Sequence, residues 1–134
     1  MATYEYAQIN ESPVVSFKAA SSLTAPKALA LALGASGVAL PSAGAACVGI
    51  ALISNPDSVA SGGDVDVQVK DIALWEASAA ITAGALLATT AAGKAVTAST
   101  SGHYIIARAL EAATAAGDLI KVQILNAGAT VPAS

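Results

Sequence analysis

Short alternating apolar runs dominate the chain. ALALAL at 28–33 and DVDVQV at 64–69 repeat with period two, which places Leu29, Leu31 and Leu33 on one side of an extended segment and Val65, Val67 and Val69 on one side of another. Related runs, VVSFKA (14–19), CVGIALIS (47–54), DVDVQVKDIALW (64–75), HYIIARAL (103–110) and LIKVQIL (119–125), are separated by Gly, Pro, Ser, Asn or Asp. Alanine favours helix by intrinsic propensity, but the period and the turn residues outweigh it. The pattern therefore predicts an all-β fold, a small barrel or sandwich, with one or two short helical turns at 110–116 (LEAATAA) and around 77–82.

The second half of the chain echoes the first. FKAASSLTAPKAL (17–29) aligns without a gap on WEASAAITAGALL (75–87), so that Phe17 and Trp75, Leu23 and Ile81, Thr24 and Thr82, and Leu29 and Leu87 stand at one offset of 58 residues. A Gly-bearing turn follows in each copy (GASG at 34–37, AAGK at 91–94), then a run ending in Ala-Leu, then a Gly-Asp turn and a strand-like segment, GDVDVQV (63–69) and GDLIKVQI (117–124), where the offset drifts to 54. Such doubling predicts a pseudo-symmetric scaffold in which Phe17, Trp75, Leu23 and Ile81 are equivalent structural anchors.

Three segments result. Residues 1–13 (MATYEYAQINESP) are the most polar stretch and read as an extended arm carrying Tyr4 and Tyr6. Residues 14–126 form a single β-rich domain of two pseudo-repeats, about 14–70 and 71–126, and 127–134 is a small, polar tail. A chain of 134 residues fits one domain. Its hydrophobic content is 55% but only 4% is aromatic, so most core side chains are small and each gains little by burial. Close packing or subunit association has to supply the remainder.

Charge excludes some functions. The net charge is −3, and the six bases, Lys18, Lys27, Lys70, Lys94, Arg108 and Lys121, are scattered singly, which speaks against a nucleic-acid phosphate site. The uncharged stretch from Ala28 to Pro56 is interrupted by Pro41, several Ser and four Gly, unlike a membrane span, and no basic-then-apolar leader suggests secretion. The expectation is a soluble protein made in the cytoplasm. The single Cys47 precludes an intrachain disulfide and reads as a small core side chain.

Candidate chemistry is sparse. His103 is the only histidine, which leaves no multi-His metal site, and it reads as a strand-edge residue. Asp64 and Asp66 alternate along one run and share a face, a pattern produced by paired carboxylates or, more simply, by the solvated side of an amphipathic strand. Neither Gly turn fits a phosphate loop, and both read as hairpin turns. No nucleophile elbow occurs. The expectation is no enzyme, no cofactor and no metal.

The segments TAGALLATTAAGKAV (82–96), IARAL (106–110) and ATAAGDLIKVQI (113–124) resemble the capsid cement, or head decoration, proteins of tailed phages. The resemblance extends to the more diverged first copy, where Pro26 stands in place of the Gly84 equivalent. It implies a β-tulip-like domain that sits as a homotrimer on the outer surface of an icosahedral phage head, contacts the major capsid protein, and stabilises the expanded shell against the pressure of packaged DNA. Neither direct nucleic-acid nor membrane contact is implied. On that view Tyr4, Tyr6 and Ile9 of the arm are capsid-contact candidates, through a strand added to a capsid sheet edge. The longer first-copy loop at 53–63 is the other place where the two copies diverge. The alternative is a β-barrel surface-binding module, such as a carbohydrate-binding or fibre-base domain, for which solvent-facing aromatics would be diagnostic.

Overall fold

The computed structural model describes residues 13–125 and 128–133. The predicted arm, with Tyr4, Tyr6 and Ile9, lies outside the described residues. Twelve strands follow in chain order: β1 (Val14–Lys18), β2 (Leu23–Thr24), β3 (Ala30–Gly34), β4 (Gly37–Ala39), β5 (Gly49–Ala51), β6 (Ser58–Val59), β7 (Asp64–Gln68), β8 (Ile72–Glu76), β9 (Leu86–Thr89), β10 (Ala95–Thr97), β11 (Ala107–Ala109) and β12 (Leu119–Ile124). They form two antiparallel five-stranded sheets, ordered β1-β7-β5-β3-β4 and β10-β9-β11-β12-β8, and a small β2-β6 pair. The fold is all-β. Both sheets are open, so the outcome is a sandwich and not a closed barrel.

The same connectivity runs through both sheets. Reading the second from its β8 end, β8, β12, β11, β9 and β10 take the places of β1, β7, β5, β3 and β4. Pairing outside the sheets matches as well. The parallel bridge Ala19↔Val38 has its counterpart in Ala77↔Ala95, and Leu23↔Val59 in Ile81↔Ala113. Register fixes the last strands more closely than the Gly-Asp motif does. Lys18 faces Asp64 and Glu76 faces Leu119, so Gln68 corresponds to Gln123 and the counterpart of Asp64 is Leu119, not Asp118. The turn before the second copy's strand shows why. Gly62 and Gly117 are the glycines that donate to the carbonyls of Ala19 and Ala77, one residue away from the alignment suggested by the motif.

Two expectations need correction. Segments 77–82 and 110–116 are not helical, and no helix occurs among the described residues. The backbones of Ile81 and Ala113 instead donate to each other's carbonyls at 2.9 and 3.0 Å, laying both side chains onto the second core. That tertiary pairing overrides the modest propensity of alanine. The run 64–75 is two strands in different sheets, because Asp71 takes φ 69° and turns the chain between β7 and β8. A short polar residue is among the few that adopt this left-handed conformation at modest cost.

Each sheet has its own core. In the first, Leu31, Val38, Val65 and Val67 are fully buried beneath Leu23 and Val59, with Phe17 partly buried at the margin. In the second, Trp75, Leu87, Ile120 and Val122 are fully buried beneath Ile81 and Ala113. Ala30 and Ile50, from the opposite face of the first sheet, join the second core and so tie the lobes together. Backbone bonds reinforce that junction, from Glu76 N–H to the Ala28 carbonyl (2.9 Å) and from Ala30 N–H to the Gly93 carbonyl (2.7 Å). The tail is held too. Residues 129–131 exchange backbone bonds with 102–105, including Tyr104↔Thr130.

Candidate interaction surface

The polar residues that might carry chemistry do not converge. His103 is half-buried, and its ring lies over Gly44, where φ is 73° and a side chain would collide with the imidazole. Asp64 forms an exposed ion pair with Lys18 at 2.7 Å, and Asp66 is exposed on the same face of β7. Cys47 is half-buried against the second core; burial pushes its thiol up to about 12, although a hydrogen bond with Thr89 works in the other direction. Among the described residues, no group of three His, Cys, Asp or Glu side chains is placed to hold a metal ion, and no helix is long and apolar enough to cross a membrane.

The predicted anchors occupy corresponding strand positions but differ in depth. Trp75 on β8 is fully buried and its indole N–H donates to the Gly93 carbonyl, whereas Phe17 on β1 is only partly covered. Leu23 and Ile81 both lie in the paired segments that cap their respective cores.

Sequence inspection passed over Asn55, in the longer first-copy loop. It is 4% exposed, and its amide nitrogen donates towards the carbonyls of Pro26 (3.1 Å), Leu52 (2.9 Å) and Asp66 (2.9 Å). Its Oδ1 accepts the Asp66 N–H at 2.9 Å. The loop is thereby clamped to β7 with every buried polar atom of the side chain satisfied. Beside it, Ile53 projects into solvent.

The outer faces of the two sheets differ sharply in chemistry. On the first, Ser16 and Lys18 of β1 oppose Asp66 and Asp64 of β7. On the second, strand register puts Leu86, Arg108, Gln123 and Ile72 in one row across β9, β11, β12 and β8. A second row pairs Lys121 with Leu74, and a third pairs Leu119 with Glu76. Ile72 is 57% exposed, Ile53 51% and Leu119 47%, and Leu110 beside Lys121 is also exposed. Both flanking faces of β8 are therefore apolar, which is why alternation along IALWE does not reveal the outward side. Leu52, Ile53, Ile72, Leu74 and Lys121 line a groove of about 340 Å³ that continues this face towards the first lobe. A second groove of about 520 Å³ is lined by Cys47, Val48, Val69, Tyr104, Ile105 and Leu125.

Three comparisons with known proteins bear on this scaffold. A search of the curated proteins found no match. Among solved structures, the chain is similar to the N base of head fiber gp8.5 of bacteriophage phi29, with a TM-score of 0.63 and 22% sequence identity, covering 88% of this chain and 99% of that one. At that identity the likeness establishes a shared fold. The phage cement protein family matches residues 8–124, which takes in both sheets and their connections. The chain belongs to the phage cement protein family.

Proposed function

We propose that this virion structural protein binds the outer surface of an icosahedral phage head as a trimer, contacts the major capsid protein, and stabilises the expanded shell against the pressure of packaged DNA. The observation that carries the reading is the family match across residues 8–124, which spans the whole two-sheet scaffold. A pair of rigid antiparallel sheets suits a load-bearing role, and many modest symmetric contacts on one shell gain strength by multivalency. The polar leader supplies a further contact, with Tyr4, Tyr6 and Ile9 adding a strand to an exposed capsid sheet edge. Synthesis takes place in the host cytoplasm and no catalysis is involved. The test is to add purified protein to expanded heads that lack it. Expected results are co-sedimentation, occupancy at three-fold positions in images of the heads, and a higher temperature of DNA release. Heads that bind protein without any rise in that temperature would refute the stabilising role, and a deletion of residues 2–12 that binds undiminished would refute the arm.

A second reading is favoured by the likeness to a head fibre base. The domain then serves as a pedestal on the head for a projecting partner. It differs from the first in predicting that removal of the protein strips another component from the particle while leaving its heat resistance unchanged.

A further inference from the structure

We propose that the outer face of the β10-β9-β11-β12-β8 sheet, continued by the groove at Ile53, is the surface that meets the head, and that its occupant is an aliphatic protein surface bearing carboxylates. The assignment rests on the head-binding reading above. Several observations on different strands support it. Ile72, Leu86 and Leu119 are exposed on one sheet face, and Ile53 and Leu110 extend its margin. Exposed aliphatic side chains interleaved with Arg108, Gln123 and Lys121 give the mixed apolar and polar make-up of a protein contact surface. Within the face stand Arg108 and Lys121, neither of which has an ion-pair partner among the described residues, while Glu76 is already neutralised by Lys94 at 2.8 Å. The face is thus apolar with two uncommitted bases, and a complementary surface presents aliphatic groups with acids opposite them.

A second copy of the chain fits this face poorly. Two-fold pairing through it would bring four unpaired bases, Arg108 and Lys121 of each copy, onto one interface with Glu76 already engaged by Lys94. Head-to-tail pairing with the part of the first sheet's equivalent face that is exposed would press Ile72 and Leu119 onto Ser16, Asp64 and Asp66, desolvating carboxylates while gaining little apolar burial, since Ile50 and Ala30 of that face are already covered by the second lobe. The equivalent face of the first sheet is therefore solvated at β1 and β7 and covered by the second lobe at Ile50 and Ala30, whereas that of the second sheet is exposed from Leu86 across to Ile72, and a symmetric trimer built elsewhere leaves it free to address the shell.

The experiment compares head binding by the wild type, Ile72→Glu/Leu119→Glu, the milder Ile72→Ser/Leu119→Ser, Arg108→Glu/Lys121→Glu, and the opposite-lobe control Ser16→Glu, with light scattering on each. Expected are a loss of affinity of at least about tenfold for the Glu pair and a smaller loss for the Ser pair. The charge-reversed pair should show a deficit that shrinks as salt rises. Ser16→Glu should bind as wild type, and all five should share one oligomeric state. Undiminished binding by both aliphatic pairs, with the wild type bound, overturns the assignment alone. Loss of oligomerisation in the Glu or Ser pair also overturns it and makes the face a self-association surface. A wild type that binds no heads overturns the head-binding reading and this assignment with it.

Discussion

The indole N–H of Trp75 donates to the carbonyl of Gly93 at 2.8 Å, and the same oxygen accepts the Ala30 N–H at 2.7 Å. One carbonyl therefore joins the core of the second sheet, its hairpin turn and the leading edge of β3. Gly93 has φ 77°, and a Cβ there would lie 2.7 Å from the Ala30 carbonyl oxygen. Gly93→Ala should cost roughly 1–3 kcal/mol through backbone strain and crowding. Trp75→Phe should cost roughly 2 kcal/mol, from the lost hydrogen bond and the void left by the smaller ring. Urea denaturation of each variant measures both values.

Asn55 makes a second, independent clamp. Replacing it with Ala strands the Asp66 N–H and the carbonyls that it serves, and should lower stability by roughly 1–3 kcal/mol. Asn55→Asp should be worse at neutral pH, because a carboxylate would face three carbonyl oxygens. Its folded-state pKa is then raised, so this variant should regain stability as the medium becomes mildly acidic. Thermal unfolding at the two pH values reads out the difference.

Much of the architecture is legible in the alternation. β1, β7 and β12 fall where VVSFKA, DVDVQV and LIKVQIL place them, and the GASG and AAGK turns close the β3-β4 and β9-β10 hairpins. Failures share a physical cause, since each was decided by partners distant in sequence. Residues 77–82 and 110–116 pair with one another, so local helix preference carries no weight there. Asp71 turns the chain by a single dihedral angle at the Lys70-Asp71 pair, where the alternation of DVDVQV ends. Asn55 looks like an ordinary turn residue until the loop folds across β7. The exposed aliphatic face of the second sheet was hidden for a different reason, because β8 has large apolar residues on both sides and only burial tells Ile72 from Trp75.

Cys47 should react slowly with alkylating reagents. With its thiol pushed up to about 12, the thiolate fraction at pH 8 is on the order of 1 in 10,000. Denaturation should restore ordinary reactivity. The raised value also has a stability consequence. Between the unperturbed 9.0 and about 12 the folded state retains a proton that the unfolded state loses, so this contribution diminishes as pH rises through that window. Cys47→Ala should show a flatter alkaline decline than the wild type in chemical denaturation.

Asp118 ties the turn ahead of β12. Its carboxylate accepts from the Thr114 N–H (2.8 Å), the Thr114 hydroxyl (3.0 Å) and the Ala115 N–H (3.2 Å), and these bonds, those from Thr114 foremost, hold its pKa below the usual 3.8. The resulting stabilisation is present above 3.8 and is lost as pH falls through the lower folded-state value. In Asp118→Ala the amide hydrogens of Thr114 and Ala115 should exchange faster at neutral pH, while those of β12 keep their protection.

Each five-stranded sheet is drawn from one uninterrupted length of chain, residues 14–68 for the first and 72–124 for the second, with a three-residue junction between them. During synthesis the first sheet can therefore complete its ladders before the second has left the ribosome, and every strand finds its neighbours within its own half. What must wait is the seam, because the start of β3 is held by Glu76 and Gly93. Until the two sheets dock, the Ala30 N–H at the start of β3 lacks its Gly93 partner, and that short stretch stands open to pairing with another chain.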